Sequence, residues 1–326
     1  MSFFGGGTDM PSFFNEHGGA VISTTFDKYC YVNVRHMPPF HPYISELVHN
    51  RFERVNNVKD IEHPLIRECM RLHDIHEIRL TYEGDLPARS GLGTSSTFAV
   101  GMLNAFCALK GKMMSHRALA EEAIHVERTI LKEHGGWQDQ VAAAYGGLNR
   151  IDFFDNNFSV HPIVIHPERK KELDRNLLLF YTGLQRFSSE IQADTFAKPT
   201  DKTKQLLDML ALVDEAERIL TDKNICLNEF GKLLDATWKL KRGTGSKVSN
   251  GSIDELYDIA IKAGALGGKL LGAGGGGFLL FYCEKEKQPN LIKALDKLMI
   301  VPFNFESDGA QVLYYAPQNY SPRKDL

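Results

Sequence analysis

No stretch of this chain stays apolar for the roughly 18 residues that a bilayer crossing takes. The N-terminus shows no basic region followed by an apolar run, so neither a membrane span nor a signal peptide is expected. A basic surplus is also missing. The 38 Lys and Arg stand against 41 Asp and Glu, for a formal net charge of −3, which speaks against a general nucleic-acid binder. The five cysteines, Cys30, Cys69, Cys107, Cys226 and Cys283, include no C-x-x-C pair. That excludes a zinc ribbon and a disulfide framework, and scattered thiols fit a reducing cytosol, so a cytoplasmic location is expected. There is no internal repeat and no low-complexity tract.

What is present is a 326-residue chain with 43% hydrophobic residues, enough for a sizeable core and, by length, about two domains. Glycine numbers 28, and 17 of these fall in five short clusters at 5–7, 91–93, 135–136, 146–147 and 264–277. Clusters between apolar segments predict backbone turns that approach something closely, not a flexible linker. Residues 19–35 read as one strand, broken by the proline-rich 36–42. Further strands are expected at 77–82, 149–154, 158–165, 177–181, 278–283, 301–305 and 312–315. Helices are expected at 97–109, 119–132, 206–220 and 227–240, with another opened by the capping box Ser252-Ile-Asp-Glu255. The charged stretch 166–175 is the best boundary, giving units at 1–170 and 171–326. Strands and helices mix without a βαβ rhythm, so the fold class is α+β.

Four segments carry chemistry. Leu86-Pro-Ala-Arg-Ser-Gly-Leu-Gly-Thr-Ser-Ser-Thr97 runs into an apolar helix, whose free N–H groups suit an anion. It is neither a Walker A loop nor a dinucleotide fingerprint, since Ser96 takes the place of the third glycine. On its own it reads equally as a glycine turn capping a helix. Gly272, Gly274 and Gly277 formally satisfy G-x-G-x-x-G, but a helix is expected before them and a strand after, the reverse of the dinucleotide motif. Four consecutive glycines there exceed what a β-bulge needs. Gly135-Gly-Trp-Gln-Asp-Gln140 presents Asp139 as a general base or, read alone, as an N-cap for a helix starting at Gln140. Gly5-Gly-Gly-Thr-Asp9 presents Thr8 and Asp9 for sugar hydroxyls, or is a frayed terminus.

Together and in this order, these segments resemble the GHMP kinases. Pro87 to Thr97 is similar to that family's P-x-x-x-G-L-G-S-S-A nucleotide loop, and Leu271 to Phe278 to its C-terminal glycine motif. The F-G-G-G-T-D and G-G-W-Q-D-Q segments look like the branch that phosphorylates an anomeric sugar hydroxyl, above all the heptose 7-phosphate kinases, with L-fucose kinase domains also similar. The resemblance implies an N-terminal domain like ribosomal protein S5 domain 2 followed by a ferredoxin-like domain, with ATP and sugar in the cleft between them.

Residue by residue, it implies that Pro87, Gly91, Leu92, Gly93, Thr94, Ser95 and Ser96 cradle the ATP phosphates, with Gly274, Gly275 and Gly276 closing from the second domain. Ser95 and Glu127 would hold Mg²⁺, and Asp139 would be the catalytic aspartate. Thr8, Asp9, Gly136 and Gln138 would hold the sugar. The implied reaction converts D-glycero-D-manno-heptose 7-phosphate and ATP to the 1,7-bisphosphate. The receptor for the 7-phosphate is expected among Arg186, Lys239, Lys241 and Arg242, with Arg186 the first choice. Partners are a small sugar phosphate and ATP, with no nucleic acid or membrane, and a homodimer is compatible. By the spacing A-P-x-R-x-S-F-x-G-G-G-T-D, the branch's basic residue falls just before Met1, so a mis-assigned or trimmed start is expected. Two other classes remain at this point: a non-catalytic sugar or nucleotide sensor on the same fold, and a nicotinamide-dependent oxidoreductase.

Overall fold

A computed structural model describes residues 1–88, 90–183, 202–245, 248–272 and 274–316. The chain opens with β1 (Ser2–Phe4), α1 (Pro11–His17), β2 (Gly19–Ser23), β3 (Thr25–Phe26) and β4 (Cys30–His36). Then come β5 (Ser45–Val48), β6 (Phe52–Val55), α2 (Pro64–Leu72), β7 (Ile78–Gly84), α3 (Thr94–Leu109) and α4 (His116–Ile124). A π-helical turn, His125–Ile130, continues α4 and leads towards α5 (Gln138–Tyr145), β8 (Asn149–Phe154), β9 (Asn157–Pro162), α6 (Pro167–Arg175) and β10 (Leu177–Tyr181). The remainder holds α7 (Thr203–Thr221), α8 (Asn228–Arg242), α9 (Gly251–Lys262), β11 (Gly267–Leu270), β12 (Phe278–Tyr282), α10 (Gln288–Ala294), β13 (Met299–Val301) and β14 (Phe305–Glu306).

The α+β class holds. One antiparallel sheet runs β1-β2-β8-β9, a second β11-β12-β10-β13, and a third β4-β7-β5-β6 with β5 and β7 parallel; β14 pairs with β3. Several sequence expectations change. The strand foreseen over 19–35 is three strands serving three sheets, because the chain turns twice between Ser23 and Cys30. Asn250, not Ser252, caps α9: its side chain accepts from the Ile253 N–H at 3.1 Å. Val312 to Tyr315 form no strand; their side chains are exposed and no neighbouring strand offers a partner edge among the described residues. The glycine-rich 271–277 follows strand β11, not a helix, so it is the turn of the β11–β12 hairpin. A strand–turn–strand cannot present a helix N-terminus to a pyrophosphate, which removes the dinucleotide reading.

Two cores position the site. The first gathers α3 against α4, α5, α2 and the sheets, and α3 is apolar on nearly every side because it is covered on nearly every side. The second takes Phe3, Phe4 and Ile22 from the first sheet and packs them against Phe230 and Leu234 of α8 and Leu280 and Tyr282 of β12. Phe4 and Phe230 meet edge to face at 5.0 Å. Lys269 of β11 is buried, and its ammonium donates to the carbonyls of Ser2 at 2.8 Å and Phe3 at 2.9 Å. A buried cation is tolerated only where its protons find acceptors, so Lys269 ties β1 to β11. The glycine turn at 5–7 is thereby fixed against the hairpin that carries 271–277.

Candidate functional site

The loop before α3 ends in Gly93, whose φ of 72° is left-handed and which makes no side-chain cap. The first N–H groups of α3 are therefore left for an outside acceptor, the arrangement that binds anions. Ser95 and Ser96 do not cap the helix either. They turn to Glu127, donating to its carboxylate at 3.3 Å and 2.8 Å, and the Gln140 amide donates to the same group. Glu127 is 1% exposed, and no cation pairs with it among the described residues. It reaches this place from the π-helical turn, closed by the Leu131 N–H bonding to the Val126 carbonyl at 2.9 Å. A buried carboxylate beside serine oxygens is a hard-oxygen donor set that fits Mg²⁺. No group of three or more His, Cys, Asp and Glu forms among the described residues.

Asp9 and Asp139 face each other across the same floor. Asp9 is buried, and its carboxylate accepts from the N–H of Gly7 at 2.9 Å, the N–H of Gln138 at 3.1 Å and the Gln138 side-chain amide at 3.4 Å. Burial raises its pKa all the same, with the backbone N–H groups of Gly7, Gln138 and Asp9 itself and the charge of Arg128 opposing. Gly136 is the reason Asp9 fits: a Cβ there would lie 1.8 Å from Asp9 Oδ2. Asp139 is in the first turn of α5, not at its N-cap, which is Trp137. Its carboxyl is pushed up to about 6, first by desolvation and then by the charge of Asp9. Water still reaches it from the open side of the cleft, and that access moderates the shift until a substrate covers it. Gly93 packs on Asp139, its Cβ position 3.2 Å from the carboxyl carbon, so the anion loop and this carboxylate share one wall.

The hairpin turn 271–277 closes the opposite wall. It is held by the Leu271 N–H to the Phe278 carbonyl at 2.9 Å, the Gly275 N–H to the Val248 carbonyl at 3.0 Å and the Gly277 N–H to Thr182 Oγ1 at 3.1 Å. It rides directly on the first loop. A Cβ on Gly272 would fall 2.4 Å from Gly91 Cα, and one on Gly277 would fall 2.1 Å from the Ser90 carbonyl.

Most residues singled out from sequence meet here. Gly91, Gly93, Ser95, Ser96, Glu127, Asp139, Asp9, Gly136, Gln138 and the 274–276 glycines share one cleft. Leu92 packs instead on the second core. Thr8 is a correction. Its hydroxyl is fully buried, bonds the Gly5 carbonyl at 2.8 Å and accepts from the Ala20 N–H at 3.1 Å, so it shapes the glycine turn and leaves nothing for a sugar. Arg186 lies outside the described residues. Two polar atoms went unnoticed in sequence: Ser90 Oγ and Gln138 Oε1 are buried and have no partner. A buried polar atom without a partner is costly, and only a folded cleft reveals it.

Comparison with known proteins bears on this geometry. Residues 58–147 match the family described as GHMP kinases N terminal domain, and 217–301 match GHMP kinases C terminal. The D-glycero-alpha-D-manno-heptose 7-phosphate kinase of Campylobacter jejuni is 30% identical over 95% of this chain and 96% of its own length. The L-fucokinase/L-fucose-1-P guanylyltransferase of Bacteroides fragilis is 31% identical over 64% of this chain, but that match covers 22% of the larger protein. Among solved structures, a D-glycero-D-manno-heptose 1-phosphate kinase from Bacteroides thetaiotaomicron superposes with a TM-score of 0.75 at 23% identity, over 95% of this chain and 94% of that one. The Methanococcus jannaschii mevalonate kinase superposes at 0.71 with 20% identity, over 94% and 96%. No helix among the described residues is long and apolar enough to cross a membrane.

Proposed function

The chain belongs to the GHMP kinases, and from that premise we propose that it moves the γ-phosphoryl of ATP to the anomeric C1 hydroxyl of D-glycero-D-manno-heptose 7-phosphate, giving the 1,7-bisphosphate. ATP-dependent sugar kinase activity goes with the family and its relatives; the particular sugar and hydroxyl are the proposal. One observation carries it: Asp139 lies against Gly93 of the anion loop and feels the charge of Asp9, which the glycine turn 5–7 presents and Gln138 of α5 holds. A phosphate donor and a polyhydroxyl acceptor thus meet at one carboxylate.

In this reading the sugar hydroxyls bond Asp9 and Gln138 Oε1, the free acceptor in the floor. Asp139 accepts the C1 hydroxyl proton as that oxygen bonds to the γ-phosphorus and the bond to the β,γ-bridging oxygen breaks. The N–H groups at the start of α3, with those of Gly274 and Gly276, hold phosphate oxygens in place, since phosphoryl transfer depends chiefly on positioning and electrostatics. The Gly275 N–H instead anchors its turn to Val248. Ser95 and Glu127 hold the Mg²⁺ that arrives with ATP. When bound, that ion neutralises charge on the phosphates. The carboxyl of Asp139, lifted towards neutrality, is better matched to taking a proton than an ordinary aspartate.

The test is a coupled ADP-release assay on the full chain with a sugar panel: heptose 7-phosphate, the same heptose without phosphate, L-fucose and mevalonate. Preference of kcat/KM for heptose 7-phosphate by tenfold or more supports the proposal. Preference for L-fucose moves the activity to the other sugar kinase branch that the sequence resembles.

A further inference from the structure

Three basic residues end α8, and the structure gives them different work. Lys239 pairs with Asp235 at 2.6 Å, and Arg242 pairs with Asp254 at 3.1 Å while lying over Trp238 and Tyr257. Both are committed to one side of the helix. Lys241, two residues from the first and one from the second, points elsewhere, because a helical step of one residue turns about 100°. Its ammonium donates to the Gly272 carbonyl, the residue that rides on Gly91. No carboxylate lies within ion-pair distance of it among the described residues. The charges of Asp9 and Asp139 act on it.

We propose that Lys241 is a catalytic residue, the fixed cation that the second half of the chain brings to the phosphoryl group in transit. This role rests on the kinase activity proposed above. One ammonium proton holds the glycine turn over the anion loop; the others meet the equatorial oxygens of the γ-phosphoryl as it passes between ADP and the C1 oxygen. The bond balance is unchanged. The proton of the hydroxyl goes to Asp139, ADP leaves with the bridging oxygen, and Lys241 stays protonated throughout. A lysine suits this place as a point charge on phosphate, where no bidentate fork is required.

The surroundings make the charge adjustable. Desolvation lowers the Lys241 ammonium to about 8, while the carboxylates of Asp9 and Asp139 raise it. Lys269 is tied to the Ser2 and Phe3 carbonyls, and burial first, then the charge of Lys241, hold its pKa well below the usual lysine value.

The experiment compares Lys241→Met and Lys241→Arg with the unaltered full chain. For K241M, kcat should fall by about 10²–10³-fold, the size of losing one fixed transition-state charge, with the ATP dissociation constant within threefold by calorimetry. K241R should recover at least tenfold of the loss. The alkaline limb of kcat/KM for ATP, near pH 8 in the unaltered chain, should vanish in K241M. A kcat within threefold for K241M, or an alkaline limb that persists in it, overturns the assignment. So does equal impairment of both variants with a matching fall in melting temperature, which marks a purely structural tie.

A readout free of the sugar separates this from the substrate proposal. In ¹³Cε-lysine spectra, the resonance lost in K241M should rise in pKa by about a unit or more when a non-hydrolysable ATP analogue binds, because an anion beside it favours the charged form. An unmoved pKa overturns the role of Lys241 whichever sugar is phosphorylated. A chain that phosphorylates a different sugar overturns the substrate proposal alone, and the kinetic comparison is then made with that sugar.

Discussion

Gly272 lies across Gly91 with no room for a side chain on either: a Cβ on Gly272 would fall 2.4 Å from Gly91 Cα, and one on Gly91 would fall 2.7 Å from the Leu271 carbonyl oxygen. Both have left-handed φ, 76° and 81°. Gly272→Ala should therefore cost about 1–2 kcal/mol in backbone strain alone, plus the separation of two loops that share a phosphate. Urea unfolding should report the first effect and kcat the second, with kcat falling by more than the stability loss explains. Wild-type kcat in G272A would remove the loop contact from the mechanism.

Asp139→Asn should lower kcat by about 10²–10⁴-fold, the usual worth of a positioned base, with ATP binding unchanged by calorimetry. In the unaltered chain the acid limb of kcat/KM should lie above the ordinary aspartate value and towards about 6, as desolvation and the charge of Asp9 push this carboxyl up and water access moderates the shift. The direction follows from the role: a protonated Asp139 accepts nothing, so the rate falls as pH drops through that value. An acid limb near 4 would mean that neither desolvation nor Asp9 acts on it.

Glu127→Gln keeps the shape and removes the charge. The serine hydroxyls of Ser95 and Ser96 retain a carbonyl to bond, so the fold should persist. Apparent Mg²⁺ affinity in the kinase assay should weaken by about 10–100-fold, while nucleotide binding without Mg²⁺ stays within threefold. An unchanged Mg²⁺ titration would assign Glu127 to packing.

Gly136→Ala drives a methyl to within 1.8 Å of Asp9 Oδ2, so Asp9 must move. A displacement of about 1 Å at a binding group costs on the order of 10²-fold. The loss should appear in kcat/KM for the sugar, with the ATP dissociation constant untouched. Equal losses for both substrates would show that the turn serves the whole cleft.

Much of the site was legible because its signals are local. Gly91, Gly93, Ser95 and Ser96 stand together in the chain, as do Gly136, Gln138 and Asp139, and the need for a bare backbone beside an anion is written in glycine itself. What failed depended on contacts distant in sequence. Thr8 looks like a sugar ligand until Ala20, on the neighbouring strand, takes its hydroxyl. A helix is expected before the glycine motif, yet Gly267-Gly-Lys-Leu270 is a strand because Tyr282 to Leu279 supply the ladder and glycine leaves space for α8. Val312 to Tyr315 have strand-forming side chains and no strand to pair with, the opposite case. Lys239 has Asp235 four residues before it and pairs with it. Lys241, at the same lysine-rich helix end, which the helix dipole favours anyway, shows no partner in sequence; its bond to Gly272 joins residues far apart in the chain.

The π-helical turn also has a consequence for chain length. Its wide ring takes up one residue more than an α-turn would, so the residues at the end of the turn are rotated from where the pitch of α4 alone would place them. Deleting a single residue there would restore ordinary α-helical pitch and swing the acid at 127 by about 100° away from Ser95 and Ser96. The helix would be better formed and the site would be lost. In this stretch the residue count, as much as the residue types, is set by the carboxylate it must deliver.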